Sequence, residues 1–346
     1  MKALTLAGHG GLDRLQLQDL APPTMTRADE VLIRVRAAAL NHLDLFVLQG
    51  LPGVTLEFPH IVGADAAGVV EAVGPAVRDV QPGDRVMVNP GISCQACEYC
   101  LRGEQSLCPS YRLLGEHLPG TVAEYVVVSD RNLAPVPPRM PWDQAAAFSL
   151  TTLTAWRMLV SRAALRPGET VVIWGVGGGV SLASLQVAKL LGARVFVTSS
   201  SEEKLRSATA MGADAVLDHT TVDVPREVRR LTGGRGAEVV VDSVGERTWT
   251  QSLRCLGRLG RLVCCGATTG PMCVTDVRKL FWHQWTIVGS TMGSHAEYQQ
   301  IARLAAEGKL WPVVDRRFPP AEGRAAFERL QSGSRFGKVV IEMSRD

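Results

Sequence analysis

The stretch VVIWGVGGGVSLASLQVAKLLGA, residues 171–193, decides the fold. An apolar run ending at Trp174 reads as a buried strand, GVGGGV reads as a turn, and Leu182, Leu185, Ala188 and Leu191 recur behind it at helical spacing. A strand, a glycine-rich turn and a helix in that order aim backbone N–H groups and a helix N-terminus at a phosphate group, because glycine permits close approach to the main chain. The alternation continues through TVVIW, RVFVT, DAVLD, EVVVD, RLVCC and TIVGS, with a helix-period segment between each pair. This predicts an α/β region, a doubly wound parallel six-stranded sheet over residues 151–290. Upstream, EVLIRVRAAAL, AAGVVEAVG, DRVMVNP and VAEYVVVS are short alternating runs separated by Pro and Gly turns, which predicts a β-barrel over residues 1–150. DQAAAFSLTTLTAWRMLV, residues 143–160, reads as one helix between the two regions. The tail reads as helix, helix and strand at HAEYQQIARLAAEGKLWPVV, GRAAFERLQSG and GKVVIEM, and is expected to fold back onto the first region.

A chain of 346 residues with 46% apolar composition has surface enough for two domains without disulfides. The formal charge is +3 and the charged residues are interleaved, so neither nucleic acid nor a membrane surface is indicated as a partner. The start has no leader pattern and no segment reaches the ~18 consecutive apolar residues of a span. The expectation is a soluble cytoplasmic protein. In that reducing setting clustered cysteines point to metal, while Cys255, Cys264, Cys265 and Cys273 behave as small apolar residues.

Four of the eight cysteines lie in ISCQACEYCLRGEQSLC: Cys94, Cys97, Cys100 and Cys108, with two, two and seven residues between them. The intervening residues are too polar to pack a core, and a tetrahedral zinc bound by four thiolates supplies one. Four protein ligands leave no open position for water or substrate, so the site reads as structural.

That cluster is followed by GTVAEYVVV, preceded by VGADAAGVVEAVGPAVRDVQPGDRV and leads into the glycine-rich turn. The combination resembles the medium-chain dehydrogenase/reductase family over essentially the whole chain. The resemblance implies a GroES-like barrel for residues 1–150, with a zinc lobe at 91–110 and completion by 291–346, and a Rossmann nucleotide-binding domain at 151–290. In the zinc-dependent alcohol dehydrogenases of that family a catalytic zinc is held at positions that here read Asn41, Ala64 and Leu150, none of them a zinc ligand. The proton relay positions read Leu43 and Phe46. This chain is similar instead to the quinone oxidoreductase side of the family. A rebuilt metal site from His42, His60, Asp44 and Asp65 is the alternative. Against it, His42 matches a residue that contacts the cofactor pyrophosphate, and Asp44 and Asp65 match carboxylates behind the ligands.

In the turn, alignment on ASLQVAK puts Val176 and Ser181 at the first and last fingerprint glycines, leaving Gly178 and Gly179 to contact phosphate and slight loosening at Ser181. About twenty residues on, where a carboxylate grips the ribose of NAD, stand Ser199 and Ser200, with Lys204 beyond. Hydroxyls and a cation favour NADP(H) over NAD(H). Ser200 to Glu203 also fits a helix capping box, a role compatible with that one. Gly266 and Ser290, at carboxyl ends of later strands, are expected near the nicotinamide half; the resemblance adds Thr154 and Val180 against the ring. The expected reaction is hydride transfer to a quinone or an α,β-unsaturated carbonyl without a catalytic metal, with Asn41 as hydrogen-bond donor and Asp44 or His42 near the proton. Two rivals stay open: an alcohol or aldehyde dehydrogenase with a non-standard metal site, and a nucleotide-binding protein without turnover. The resemblance implies a dimer or tetramer acting on a small molecule.

Overall fold

The computed structural model describes residues 1–343. The chain forms two compact units: Met1–Thr151 together with the chain from Gly293 onward, and Thr152–Met292.

In the first unit the long strand Glu30–Leu40 is the spine. Its burial alternates up to Arg36 and is continuous from Ala37 to Leu40, where the three alanines Ala37–Ala39 are small enough to lie between strands on both sides. One neighbour is Asp65–Val73, with Ala38 opposite Ala66; the other is Lys338–Glu342, with Ala38 opposite Ile341. The sheet runs Leu133–Pro135, Arg85–Val88, Asp65–Val73, Glu30–Leu40, Lys338–Glu342, Val314–Phe318, and Tyr125–Ser129 also pairs with the spine. A smaller sheet joins Leu15–Asp19, Lys2–Leu6 and His60–Ile61. Leu4, Leu6, Leu40 and Leu48 pack with Phe318, Phe327, Val339 and Ile341, so this core is shared between the two ends of the sequence.

The second unit is one parallel sheet in the order Ala215–Asp218, Arg194–Ser199, Thr170–Ile173, Ala237–Asp242, Leu256–Cys264, Thr286–Gly289. The three central strands, Arg194–Ser199, Thr170–Ile173 and Ala237–Asp242, were the most legible because they are buried on both faces and therefore read as nearly unbroken apolar runs. In chain order the sheet runs 3-2-1-4-5-6. It reverses beside Thr170–Ile173, and the carboxyl end of that strand is where such sheets bind ligands.

Two expectations require correction. Residues 143–160 are not one helix but three pieces, Trp142–Ala146, Ser149–Trp156 and a π-helical turn at Arg157–Arg162. The restart at Ser149 coincides with the Leu150 N–H donating to Asp65 Oδ1 at 2.8 Å, a partner outside the helix. The strand Val314–Phe318 was not foreseen, because Asp315, Arg316 and Arg317 mask its alternation; it pairs parallel with Lys338–Glu342 at the sheet edge. The end of the expected segment 291–346 extends beyond the described residues.

Candidate functional site

In the first unit a polar network lies inside the core where the spine strand turns into the helix His42–Gln49. Asn41 is 5% exposed, Asp44 1%, Asp65 0% and Lys338 4%, so every polar atom there must find a partner within the protein. The Lys338 ammonium donates to Asp65 Oδ2 at 2.9 Å and to Asn41 Oδ1. The Asn41 amide donates to Asp65 Oδ2 at 2.9 Å and to the Ala39 carbonyl at 3.4 Å. Asp65 Oδ1 takes the Leu150 N–H. Asp44 accepts from the Asn41 N–H at 2.7 Å and the Gly63 N–H at 2.9 Å, locking the start of the helix to the Gly63 turn. Burial pushes the Asp44 carboxyl up to about 6; the two N–H donors and the Lys338 charge oppose that rise without cancelling it.

Asn41 therefore uses its amide within this network, as Asp44 uses both carboxylate oxygens. Lys338 escaped the sequence reading. Its only mark is a lysine opening the otherwise apolar run VVI, almost three hundred residues from Asn41.

His42 is half-buried with its ring edge-on to Phe46 at 4.7 Å, and burial and then Arg335 hold its pKa down. His60 is buried, its Nε2 is 3.1 Å from the Gly115 carbonyl, and desolvation lowers its pKa. Ala64 is fully buried, and Leu43, Phe46 and Leu150 are partly buried. Among the described residues, the one group of three or more His, Cys, Asp or Glu side chains that converges as metal ligands do is Cys94, Cys97, Cys100 and Cys108.

The four sulfurs lie within 4.8 Å of one another, with Cys94–Cys100 at 3.9 Å and Cys97–Cys100 at 3.5 Å. Four thiolates about 2.3 Å from a tetrahedral zinc stand about 3.8 Å apart, so the geometry fits that ion. Backbone N–H groups of Cys97 and Cys94 point at the sulfurs of Cys94 and Cys108, the hydrogen bonds expected around thiolates. The Ala96 and Cys97 N–H groups draw the Cys94 pKa down, whereas burial raises that of Cys100. The lobe is tied to the helix His295–Ala306: Gln95 Nε2 bonds His295 Nε2 at 2.9 Å and the His295 N–H donates to Gln105 Oε1 at 3.3 Å.

In the second unit the turn after Thr170–Ile173 is shaped by two glycines the sequence reading passed over. Gly175 has φ +66° and Gly177 φ +124°, values that a side chain disfavours. Thr198 fixes the turn, taking the Gly175 N–H on its hydroxyl at 3.1 Å and the Val176 N–H on its carbonyl at 2.8 Å. Gly178 is the N-cap of the helix Gly179–Leu190 and brings no capping side chain, which leaves the first-turn N–H groups, Val180's included, free for an anion. The expected loosening at Ser181 is corrected. Its buried hydroxyl donates to the Gly175 and Gly178 carbonyls at 3.0 and 2.9 Å, stitching the helix to the turn.

Ser199 ends its strand buried, and its hydroxyl accepts the Ser201 N–H at 3.1 Å; Ser200 is exposed. The cap is Ser201, not Ser200: an extra residue follows the strand, and Ser201 Oγ accepts the Lys204 N–H at 3.4 Å. Gly266 lies beside the Ser243 carbonyl, at 3.4 Å from where a Cβ would stand. The Ser290 N–H donates to the Cys264 carbonyl at 2.9 Å, and its buried hydroxyl has no partner among the described residues. An orphaned hydroxyl at the carboxyl end of a strand fits a carboxamide or ribose oxygen of a bound nicotinamide nucleotide. Thr154 is buried, with its hydroxyl 3.9 Å from the Met292 sulfur.

A β unit carrying a four-cysteine lobe, joined in sequence to a parallel sheet with a glycine-rich turn before its first helix, is the architecture of a two-domain nucleotide-dependent dehydrogenase. The model of the alcohol dehydrogenase GroES-like domain matches residues 27–138, and that of the zinc-binding dehydrogenase matches residues 179–307. The solved structure of an NAD-dependent alcohol dehydrogenase is 45% identical, with a TM-score of 0.96 over 99% of this chain and 100% of that one. The acryloyl-coenzyme A reductase of Metallosphaera sedula is 33% identical, covering 99% of both chains. The NAD-dependent alcohol dehydrogenase of Sulfolobus acidocaldarius is 30% identical over 99% of this chain and 100% of its own. The chain belongs to the medium-chain dehydrogenase/reductase family, in its zinc-type alcohol dehydrogenase branch, and is an NAD(P)-dependent oxidoreductase. The four cysteines fit the structural zinc of that branch. The catalytic zinc of its alcohol-oxidising members does not fit the matched positions, where Asn41 is spent on Lys338 and Asp65, and Ala64 and Leu150 carry no donor. Among the described residues no helix is long and apolar enough to cross a membrane.

Proposed function

We propose that this oxidoreductase reduces an electron-poor acceptor, an α,β-unsaturated carbonyl or a quinone, with NADP(H) preferred to NAD(H) and without a catalytic metal. The observation that carries the reading is the network at the matched ligand positions: the buried cation there is the Lys338 ammonium, anchored to Asp65 and Asn41. When bound, the reduced nicotinamide supplies a hydride, and a conjugated acceptor takes it without first losing a proton, as an alcohol must on oxidation. Asn41 and Asp44 hold the start of the helix His42–Gln49 and so set the place of His42, which burial keeps neutral and able to accept or donate one hydrogen bond. Thr154, Val180, Gly266 and Ser290 are the proposed nicotinamide contacts, and Gly178 and Gly179 the phosphate contacts. Ser199, Ser200 and Lys204 present no carboxylate to a 2′-phosphate. The named acryloyl-coenzyme A reductase supports the substrate class, and the substrate is a small molecule; a homo-oligomer in the cytoplasm is the proposed working form.

A second reading, alcohol oxidation with NAD(H), is favoured by the names of the alcohol dehydrogenase relatives. One assay separates the two: consumption of NADPH and NADH against a panel of enones, enoyl thioesters, quinones and aldehydes, before and after chelation. Enone or quinone reduction that persists with one zinc per chain supports the proposal. Alcohol oxidation that needs a second, re-added zinc overturns it.

A further inference from the structure

A groove of about 440 Å³ lies on the second unit against the helices Val224–Leu231 and Val277–His283, and none of its lining residues belongs to the proposed nucleotide or substrate site. Arg226, Arg229, Arg254 and Lys279 line it, against a single carboxylate, Asp223. That carboxylate is already paired with Arg254 at 3.1 Å. Arg226 acts on Asp223 only at longer range, and neither its side chain nor that of Lys279 has a direct hydrogen bond or ion pair among the described residues. Arg229 is held in place, its Nη2 donating to the Arg254 and Leu256 carbonyls at 3.3 Å each. Four cations around one concavity repel one another, and a bound anion removes that cost. The back wall is rigid and aromatic: Trp285 stacks on His283 with centroids 5.0 Å apart and planes at 23°, and its indole N–H donates to the Gly257 carbonyl at 2.8 Å.

The position separates this groove from the nucleotide turn. Arg254 stands two residues before the strand Leu256–Cys264 and Trp285 one before Thr286–Gly289, so the groove is at the amino ends of those strands. The glycine turn follows the carboxyl end of Thr170–Ile173, and because the sheet is parallel the two lie on opposite rims.

We infer that the groove is a second anion site, one that takes a polyphosphate. Two or more phosphate groups match cations brought in by three helices, Val224–Leu231, Trp249–Cys255 and Val277–His283. Inorganic polyphosphate and a nucleoside polyphosphate share that chemistry, and the aromatic wall gives the second a base-stacking surface.

The experiment uses the full chain saturated with its nicotinamide nucleotide, so that the first site is filled. Pyrophosphate, tripolyphosphate and ATP are titrated by calorimetry and tryptophan fluorescence. Saturable binding is expected, tighter for tripolyphosphate than for pyrophosphate and weakening as salt rises. In Arg226→Ser/Lys279→Ser, whose side chains make no direct hydrogen bond or ion pair among the described residues, affinity should fall about tenfold, with the melting temperature no lower and the oxidoreductase rate unchanged. The remote pair Lys309→Ser/Arg324→Ser should bind as the unaltered protein does. ATP binding tighter than tripolyphosphate, with quenching abolished in Trp285→Phe, identifies a nucleoside ligand; equal affinities identify the inorganic one. Absence of saturable binding up to about 10 mM, or equal affinity in the groove variant and the unaltered chain, overturns the inference. Neither result depends on which acceptor the enzyme reduces.

Discussion

Lys338 carries the largest single-residue consequence. Its ammonium and the Asp65 carboxylate are both out of water, so removing one leaves the other as an uncompensated buried charge, at a cost of about 3–5 kcal/mol. Lys338→Met should lower the urea midpoint accordingly, and Lys338→Met/Asp65→Asn should recover most of the loss; a single variant as stable as the parent would refute the pairing. Asp44 allows a prediction in pH. Its folded pKa, about 6, lies above the usual 3.8, so the folded state holds the proton more tightly. The resulting stabilisation is full below about pH 4 and is lost as pH rises through 6, about 3 kcal/mol at roughly 1.4 kcal/mol per pKa unit. Measured against Asp44→Asn, the parent should lose about that much more stability between pH 4 and 7; parallel curves would refute the shift. Neither partnership was legible in the sequence. Asn41 and Asp44 are three residues apart and the helix start could be read, but the pairing to Lys338 exists only after the last strand joins the spine.

Two elements show where pattern suffices and where it stops. Cysteine spacing identified the metal lobe because four ligands within fifteen residues close a local loop, whereas its attachment through Gln95 and His295 spans two hundred residues. The helix in that lobe, Glu98–Leu101, has four residues and is far too short to persist unaided. Zinc removal should therefore melt the lobe: residues 93–110 should exchange amide hydrogens and be cut by protease at least about tenfold faster, while the sheet of the second unit keeps its protection. Loss of protection across both units together would contradict a local structural role. The nucleotide turn was legible as a strand, glycines and a helix, but the glycines that bend its backbone were not. Counting back from the helix favoured Gly178 and Gly179, while the backbone places the left-handed conformations at Gly175 and Gly177, anchored by Thr198 from the neighbouring strand.

Over the whole chain, the second unit was the more legible because it is continuous in sequence and each of its first five strands is followed by a helix that packs on it. The first unit was harder, since its sheet is closed by segments from both ends of the chain. Lys338–Glu342 lies inside that sheet, between Glu30–Leu40 and Val314–Phe318, and Phe318, Phe327, Val339 and Ile341 fill the core around Leu4, Leu6 and Leu40. A fragment ending at Thr151 would expose the edge of Glu30–Leu40 and half of that core to water, and would also strip Asp65 of its cation. Residues 152–292, by contrast, retain every pairing of their six strands. Expressed separately, 152–292 should melt cooperatively and bind the nicotinamide nucleotide. Residues 1–151 should show no cooperative transition until residues 293–346 are supplied in trans. Circular dichroism and calorimetry of the fragments alone and mixed decide this: a cooperative transition for 1–151 alone would mean that the closing strand finishes the first unit without being needed to form it.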